Sequence, residues 1–350
     1  MPPLADDALL PTLADSVRPD EDGVHILDRR AFPFQQHWVH ARTVDDVATA
    51  IEDMVTQSSG PYFAVLWGMV LAARDAAHRP DPHTHMHHAA ARLVRTRPTN
   101  DQPRIATEHV LRATADCAAA DLPGIAETAA REAEREYRDR SARMGRAAAD
   151  LLDDDARVLT HCWGDLYLVG LVHAAQQQGK HLSFVCTETR PYLQGARLTA
   201  HTLAELDVPT TLVTDAMPAA LLRAGDIDAL VTASDRISMD GHVINKIGTL
   251  QLAVAAHTFG VPFHALCHAP DPDSPTGADV PIEFRDGDEV LHALGHRTAS
   301  PLVEGRYPAF DVTDPRFVTT VVTDRGAYPP GDLAGYWTAQ PQQHRQGTPQ

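Results

Sequence analysis

Lysine is almost missing from this chain. Of 30 basic side chains only Lys180 and Lys246 are lysines, and the rest are arginines. Set against 47 acidic residues, they leave a net charge of -17. That balance argues against nucleic acid or an anionic membrane as the main partner. A small phosphorylated ligand in a local basic pocket is compatible with it. Cysteine is scarce too. Cys117, Cys162, Cys186 and Cys267 form no CxxC pair and no dense framework, so free thiols in a reduced, intracellular setting are expected. No apolar run approaches the roughly 18 residues of a membrane span, and no charged-then-apolar leader opens the chain. The expectation is a cytoplasmic protein. Neither GxGxxG nor GxxxxGK[ST] occurs, which leaves a dinucleotide or Walker-type site without support.

What is present is an alternation. Val158–Cys162, Ser183–Cys186, Thr210–Thr214 and Leu230–Asp235 are short β-branched or apolar runs. Helical patterns of about 10 to 13 residues separate them, which is the signature of βαβ units and a parallel sheet. Ligands of such sheets bind outside the carboxyl ends of the strands. Cys162, Glu188, Arg190, Asp215 and Asp235 all fall there, so a thiol and several carboxylates converge on one crevice.

At 350 residues the chain is long enough for two domains. Residues 1–22 read as a loose tail. Residues 23–150 read as a mainly helical domain with a few short antiparallel strands between Val24 and Val39. Residues 151–337 read as a Rossmann-like parallel-sheet domain, and 338–350 as a disordered Gln/Pro-rich tail. The fold class is therefore α/β. His78, His83, His85, His87 and His88 crowd one stretch, but no supporting cysteine or carboxylate spacing defines a metal geometry, so an exposed Pro/Asp-rich loop is expected. The charges from Glu127 to Arg146 read as a solvated helix face.

Each candidate site residue has a bland reading. Cys162, where a strand meets a helix start, is a candidate base whose thiolate the helix dipole favours, or else a small buried residue. Asp235 is a candidate acid, or an ion-pair or cap residue. The segments opening at Gln194 and at Asn245-Lys246 offer helix-start N–H groups suited to phosphate, with a lysine beside the second.

At these residues the chain closely resembles the methylthioribose-1-phosphate isomerase family. That group includes ribose-1,5-bisphosphate isomerase and the regulatory subunits of the eukaryotic translation-initiation exchange factor. The resemblance rests on Leu159-Thr160-His161-Cys162, Glu188-Thr189-Arg190-Pro191, Leu193-Gln194-Gly195-Ala196-Arg197, Ser234-Asp235-Arg236-Ile237, Asn245-Lys246-Ile247-Gly248-Thr249 and Pro308-Ala309-Phe310-Asp311. Leu27-Asp28-Arg29 and Arg97-Pro98-Thr99 match as well, and the likeness spans about residues 23 to 330. It implies an aldose–ketose isomerase without metal or organic cofactor, acting on a 5-methylthio-, 5-deoxy- or otherwise 5-substituted ribose 1-phosphate. It implies Cys162 and Asp235 as the catalytic pair, Arg97, Gln194, Asn245 and Lys246 as substrate-binding residues, and a homodimer. Proton transfer through Cys162 and a hydride shift both stay open.

The chain departs from the family pattern at one important place. Gln57-Ser58-Ser59-Gly60-Pro61-Tyr62-Phe63 stands where the family carries Arg-Gly-Ala-Pro-Ala-Ile-Gly, so a charge-assisted phosphate contact is replaced near Gln57. Trp163 and Asp165 also differ from the usual small or polar residues. Together these imply retained chemistry on an altered substrate. The other functions considered are a non-catalytic regulatory protein of the same fold, binding a sugar phosphate or nucleotide, and ordinary methionine salvage.

Overall fold

The computed structural model describes residues 10–97 and 101–338. Residues Pro98–Asn100 of the connector, and the Gln/Pro-rich tail from 339 onward, lie outside the described residues. The chain divides into two compact units, Met1–Asp139 with Ala196–Val208, and Arg140–Gly195 with Pro209–Gln350.

The first unit opens earlier than the sequence suggests. Thr12–Asp15 is a 3-10 turn and β1 (Val17–Pro19) follows, within the stretch read as a loose tail. Leu13 and Val17 are buried and anchor it. Two apolar residues among acids and prolines make too short a pattern to read as an element. β1 pairs antiparallel with β2 (Val24–Leu27), which pairs with β3 (Trp38–Ala41). Thr43 caps α1 (Val44–Glu52) through a reciprocal bond with Asp46.

α2 (Gly60–Ala76) is buried on nearly every side, as befits a helix with no polar face. Gly60 and Pro61 form its first turn. α3 (Pro82–Val94) and α4 (Gln102–Thr114) pack on it. The histidine-rich stretch is therefore mostly helix rather than loop. Asp81 accepts from the Thr84 amide and Pro82 takes a first-turn position, a start signal hidden by the histidines. The helix separates the rings: His83 faces the Cys117 carbonyl at 3.2 Å and His85 faces Asp75 at 3.0 Å.

α5 (Leu122–Ala149) contributes its first part to one unit and its last part to the other. Its charges are only partly a solvated face. Arg131 pairs with Glu127 in solvent, but Arg140 reaches a buried Asp324, Nε to Oδ2 at 2.5 Å.

The second unit is built on a seven-stranded sheet. In chain order its elements are β4 (Arg157–Thr160), α6 (Asp165–Gln177), β5 (Ser183–Thr187), β6 (Thr210–Val213), α8 (Pro218–Ala224) and β7 (Ala229–Ala233). The helix α7 (Ala200–Glu205), between β5 and β6, belongs to the first unit. Then come β8 (Arg236–Ile237), β9 (Val243–Lys246), α9 (Thr249–Thr258) and β10 (Phe263–Leu266). The sheet closes with Thr320–Thr323 and an antiparallel edge, Gly326–Tyr328. The last three of these strands were not legible in advance.

Across the sheet the order is Gly326–Tyr328, Thr320–Thr323, β10, β7, β4, β5, β6. The chain steps outward from β4 to β5 and β6, then returns to the other side of β4 for β7. The strand order thus reverses between β4 and β7, and that reversal opens a crevice at their carboxyl ends. Leu159, Leu230, Phe263 and Val321 from the strands pack against Leu252, Ala253 and Ala256 of α9, a buried core that holds the strand ends in place.

Candidate active site

β4 runs out into His161-Cys162 and its neighbour β7 into Ser234-Asp235, so thiol and carboxylate flank the point of reversal. Cys162 sits at φ +62, a left-handed conformation that costs a non-glycine residue about 1–2 kcal/mol. Its amide donates to Thr189 Oγ1 at 2.9 Å. Thr189 is fixed in turn, because its own amide and that of Arg190 donate to Asp215 at 2.8 Å each. Asp215 therefore directs its carboxylate to the backbone. Arg190 donates to the carbonyls of Val290 and His292 at 3.2 and 2.7 Å. Both shape the loop, and burial holds the nearby Glu188 carboxyl above its ordinary value with Asp215 adding to the effect.

Lys246, the last residue of β9, is only 5% exposed, and its ammonium lies 4.4 Å from the centre of the Phe310 ring. Burial lowers its pKa, with Cys162 and Asp235 pulling the other way. Cys162 is half-buried and Asp235 is exposed to solvent at the mouth of the crevice. Desolvation by the surrounding protein still raises the thiol above 9.0 and the carboxyl above 3.8, and the charge of Lys246 opposes both shifts. The thiolate that the helix dipole was expected to favour is thus disfavoured overall. α6 begins only at Asp165, and desolvation is the largest influence on the thiol. The direction at Asp235 is the one a proton donor needs.

His161 is buried between Thr187 Oγ1 (2.6 Å) and the Ile247 carbonyl (2.9 Å). A carbonyl only accepts, so Nε2 carries the proton and Nδ1 accepts from Thr187. Burial lowers its pKa and keeps the ring neutral. It ties the end of β4 to the turn after Lys246. Gly248 in that turn has φ +107, and a Cβ there would lie 3.0 Å from the His161 ring.

The remaining expected residues divide. Asn245 is buried and donates to Thr249 Oγ1 at 3.0 Å. Gln194 is buried with Oε1 lacking a hydrogen-bond partner among the described residues. It precedes a π-turn, Gly195–Thr199. A Cβ on Gly195 would lie 1.8 Å from the Thr187 carbonyl and 2.9 Å from Thr189 Oγ1, so only glycine lets this turn press on the segment that holds Cys162. Arg97 stands in the first unit just past α3, donating to the Ile51 carbonyl at 3.3 Å and to Met54 Sδ. Cys162, Asp235, Gln194, Asn245 and Lys246 thus belong to the second unit and Arg97 to the first.

One expectation is corrected. The amides at the start of α9 do not point into free space. Asp311 Oδ2 accepts from Gly248 at 2.7 Å, and its Oδ1 accepts from Leu250 at 3.1 Å. These bonds favour the carboxylate, yet burial wins and raises Asp311 to about 6. A raised carboxyl favours folding fully below 3.8, and that contribution is lost as pH rises through about 6. Wild type should lose stability relative to Asp311→Asn across this interval. Urea unfolding of both proteins at pH 4 and 7 measures the difference, and a constant gap would contradict it.

Sequence reasoning missed Glu283, Arg285 and Tyr307. The Arg285 Nε–Glu283 Oε1 pair is 2.8 Å long, and Arg285 lies opposite Tyr307 in an antiparallel pair. Charges of Arg285 and Glu283 act on Asp235 and Lys246, and that of Arg285 acts on Cys162. Opposite charges two apart in an extended run after Pro281 were the available signal, since such residues share a face.

With this geometry in view, residues 59–330 match the model of the Initiation factor 2 subunit family. The chain belongs to that family. A methylthioribose-1-phosphate isomerase of Anaeromyxobacter sp. (strain K) is 39% identical over 341 residues, 95% of this chain and 97% of that one. The crystal structure of 5-methylthioribose 1-phosphate isomerase from Pyrococcus horikoshii OT3 superposes with a TM-score of 0.83 at 29% identity, covering 92% of this chain and 95% of that one. That of the translation initiation factor eIF-2B, subunit delta, from A. fulgidus gives 0.80 at 31%, covering 90% and 96%. Among the described residues no helix is long and apolar enough to cross a membrane.

Proposed function

We propose that this member of the family converts a 5-substituted ribose 1-phosphate to the ribulose 1-phosphate, with Cys162 and Asp235 as the catalytic pair. The observation that carries the proposal is the placement of this pair at the strand-order reversal, with Lys246 electrostatically coupled to both. The identity to named isomerases over nearly the whole chain supports the reaction class.

The chemistry fits the two environments. A phosphate on the anomeric oxygen prevents spontaneous ring opening, so the ring oxygen must receive a proton as its bond to C1 breaks. Asp235, whose carboxyl is pushed above its ordinary value by desolvation in the crevice, supplies it. The Cys162 thiolate takes the C2 proton, and the electron pair forms the C1–C2 double bond of an enol phosphate. The thiol then returns a proton to C1, while the C2 hydroxyl gives its proton to the Asp235 carboxylate, leaving a ketone at C2 and both side chains as they began. A hydride shift from C2 to C1 uses Asp235 in the same way and leaves Cys162 out of the transfer. Solvent deuterium at C1 of the product marks the first route, and its absence marks the second.

Altered specificity is part of the proposal and rests on Gln57. Its side chain is buried, and Nε2 has no hydrogen-bond partner among the described residues. It offers a neutral donor where the family pattern has a guanidinium, so the charge-assisted pairing with phosphate is lost. The binding-only reading is favoured by the likeness to the A. fulgidus initiation-factor subunit. Proton and phosphorus NMR with methylthioribose 1-phosphate, 5-deoxyribose 1-phosphate and ribose 1,5-bisphosphate separates the readings. A ketose 1-phosphate from one of them, absent with Cys162→Ser, is the expected result. Saturable binding without turnover would favour the regulatory reading. Light scattering tests the homodimer that the resemblance implies.

A further inference from the structure

The first unit gathers three ligating side chains on its small sheet. His25 of β2 and His40 of β3 are direct cross-strand partners, with rings stacked at 4.2 Å and 8° apart. Asp20, in the turn between β1 and β2, places Oδ2 2.6 Å from His25 Nε2 and Oδ1 3.7 Å from His40 Nε2. The donor atoms all lie within 4.8 Å of one another.

The surroundings hold this arrangement. Asp20 Oδ1 accepts from the amides of Asp22 and Gly23 at 2.8 and 2.6 Å, and Arg74 donates to the Glu21 carbonyl at 2.9 Å, fixing the turn. A Cβ on Gly23 would lie 2.6 Å from His40 Nε2 and 2.5 Å from the Ala41 carbonyl, so the bare glycine makes room for the ring. His40 Nε2 is itself buried and makes no hydrogen bond among the described residues. A buried polar atom left this way is costly, and a bound ion would satisfy it. The third residue of the same row, Arg18, is drawn aside, with Nε 2.8 Å from Asp15 and its guanidinium over the Trp38 ring.

We propose that Asp20, His25 and His40 bind a divalent transition metal, zinc in the first instance. Two imidazoles and one carboxylate match borderline-soft ions rather than magnesium or calcium, and three protein ligands leave a fourth position for water. An imidazole binds a metal in its own plane, so coordination turns the two rings out of their stack. Coordination through His25 Nε2 requires the tautomer with its proton on Nδ1. The site steadies the hairpin and is separate from the proposed isomerase chemistry, which needs no metal.

Calorimetric titration of zinc into metal-stripped full-length protein, with cobalt absorption as a second readout, tests this. One equivalent should bind, and the thermal midpoint should rise with zinc concentration. His25→Ala and His40→Ala should each weaken binding at least ~10-fold. His83→Asn and Cys162→Ser should bind as wild type, excluding the histidine-rich helix and the thiol. Asp20→Asn keeps the turn's acceptor and should show the same loss without disturbing the sheet. No saturable binding, or binding undiminished in both the His25 and His40 variants, would overturn the proposal.

Discussion

Cys162→Ser and Asp235→Asn should each lower kcat by about 10²–10⁴-fold, the usual contribution of a positioned acid or base. Both substitutions are nearly isosteric, and neither side chain belongs to the buried core, so the fold should survive. Asp235→Asn removes the titrating proton while keeping a polar side chain of the same shape. Cys162→Ser replaces a thiol by a hydroxyl that is far harder to ionise. If a hydride shift carries the reaction, the two effects part company: Asp235→Asn keeps its full loss and Cys162→Ser falls toward a modest one. Near-wild-type rates in both would sink the assignment of the pair. The pH dependence adds a further check. Desolvation raises both groups, so the rate should climb with pH while Asp235 stays protonated and the minor Cys162 thiolate grows, and should level off once Asp235 ionises. Because the two groups act on each other, the apparent values belong to the pair.

Much of this site was legible because strand ends are marked by simple patterns. A β-branched run stopping at Cys162 or Asp235 locates a carboxyl end without coordinates, and the strand-to-helix rhythm places those ends on one edge. The order of the strands was not legible. Nothing local in β7 says that it lies beside β4 rather than β6, yet that adjacency brings Asp235 next to Cys162. The positive φ of Cys162 and Thr189 was hidden for the same reason, since neither residue type asks for it and tertiary bonds impose it. Asp311 shows the opposite failure. The start of α9 looked like a phosphate cradle because its local sequence is right, but a carboxylate 61 positions beyond Leu250 already holds it. The histidine stretch misled through composition, which obscured a proline and an aspartate that start α3.

Lys246→Met separates function from structure more sharply than any other single change, because activity and stability should move in different directions. Lys246 is 5% exposed, and methionine has a similar length and no charge. Burying an ammonium costs several kcal/mol unless it is paired, and an apolar side chain of similar length relieves that cost. Contact with the Phe310 ring persists as a sulfur–aromatic one. Stability should therefore hold or rise. Activity should not. Lys246 lowers the pKa of both Cys162 and Asp235, so without it both rise further. Each unit added to the thiol removes tenfold of the thiolate at neutral pH. With the loss of one charged contact at about 1.5–3 kcal/mol, kcat/KM should fall roughly 10- to 100-fold or more. The kcat profile should shift to higher pH, and alkaline buffer should restore part of the rate. A lysine serving only to hold β9 would give the reverse: a lower melting temperature, an unshifted profile, and activity lost only in proportion to folded protein.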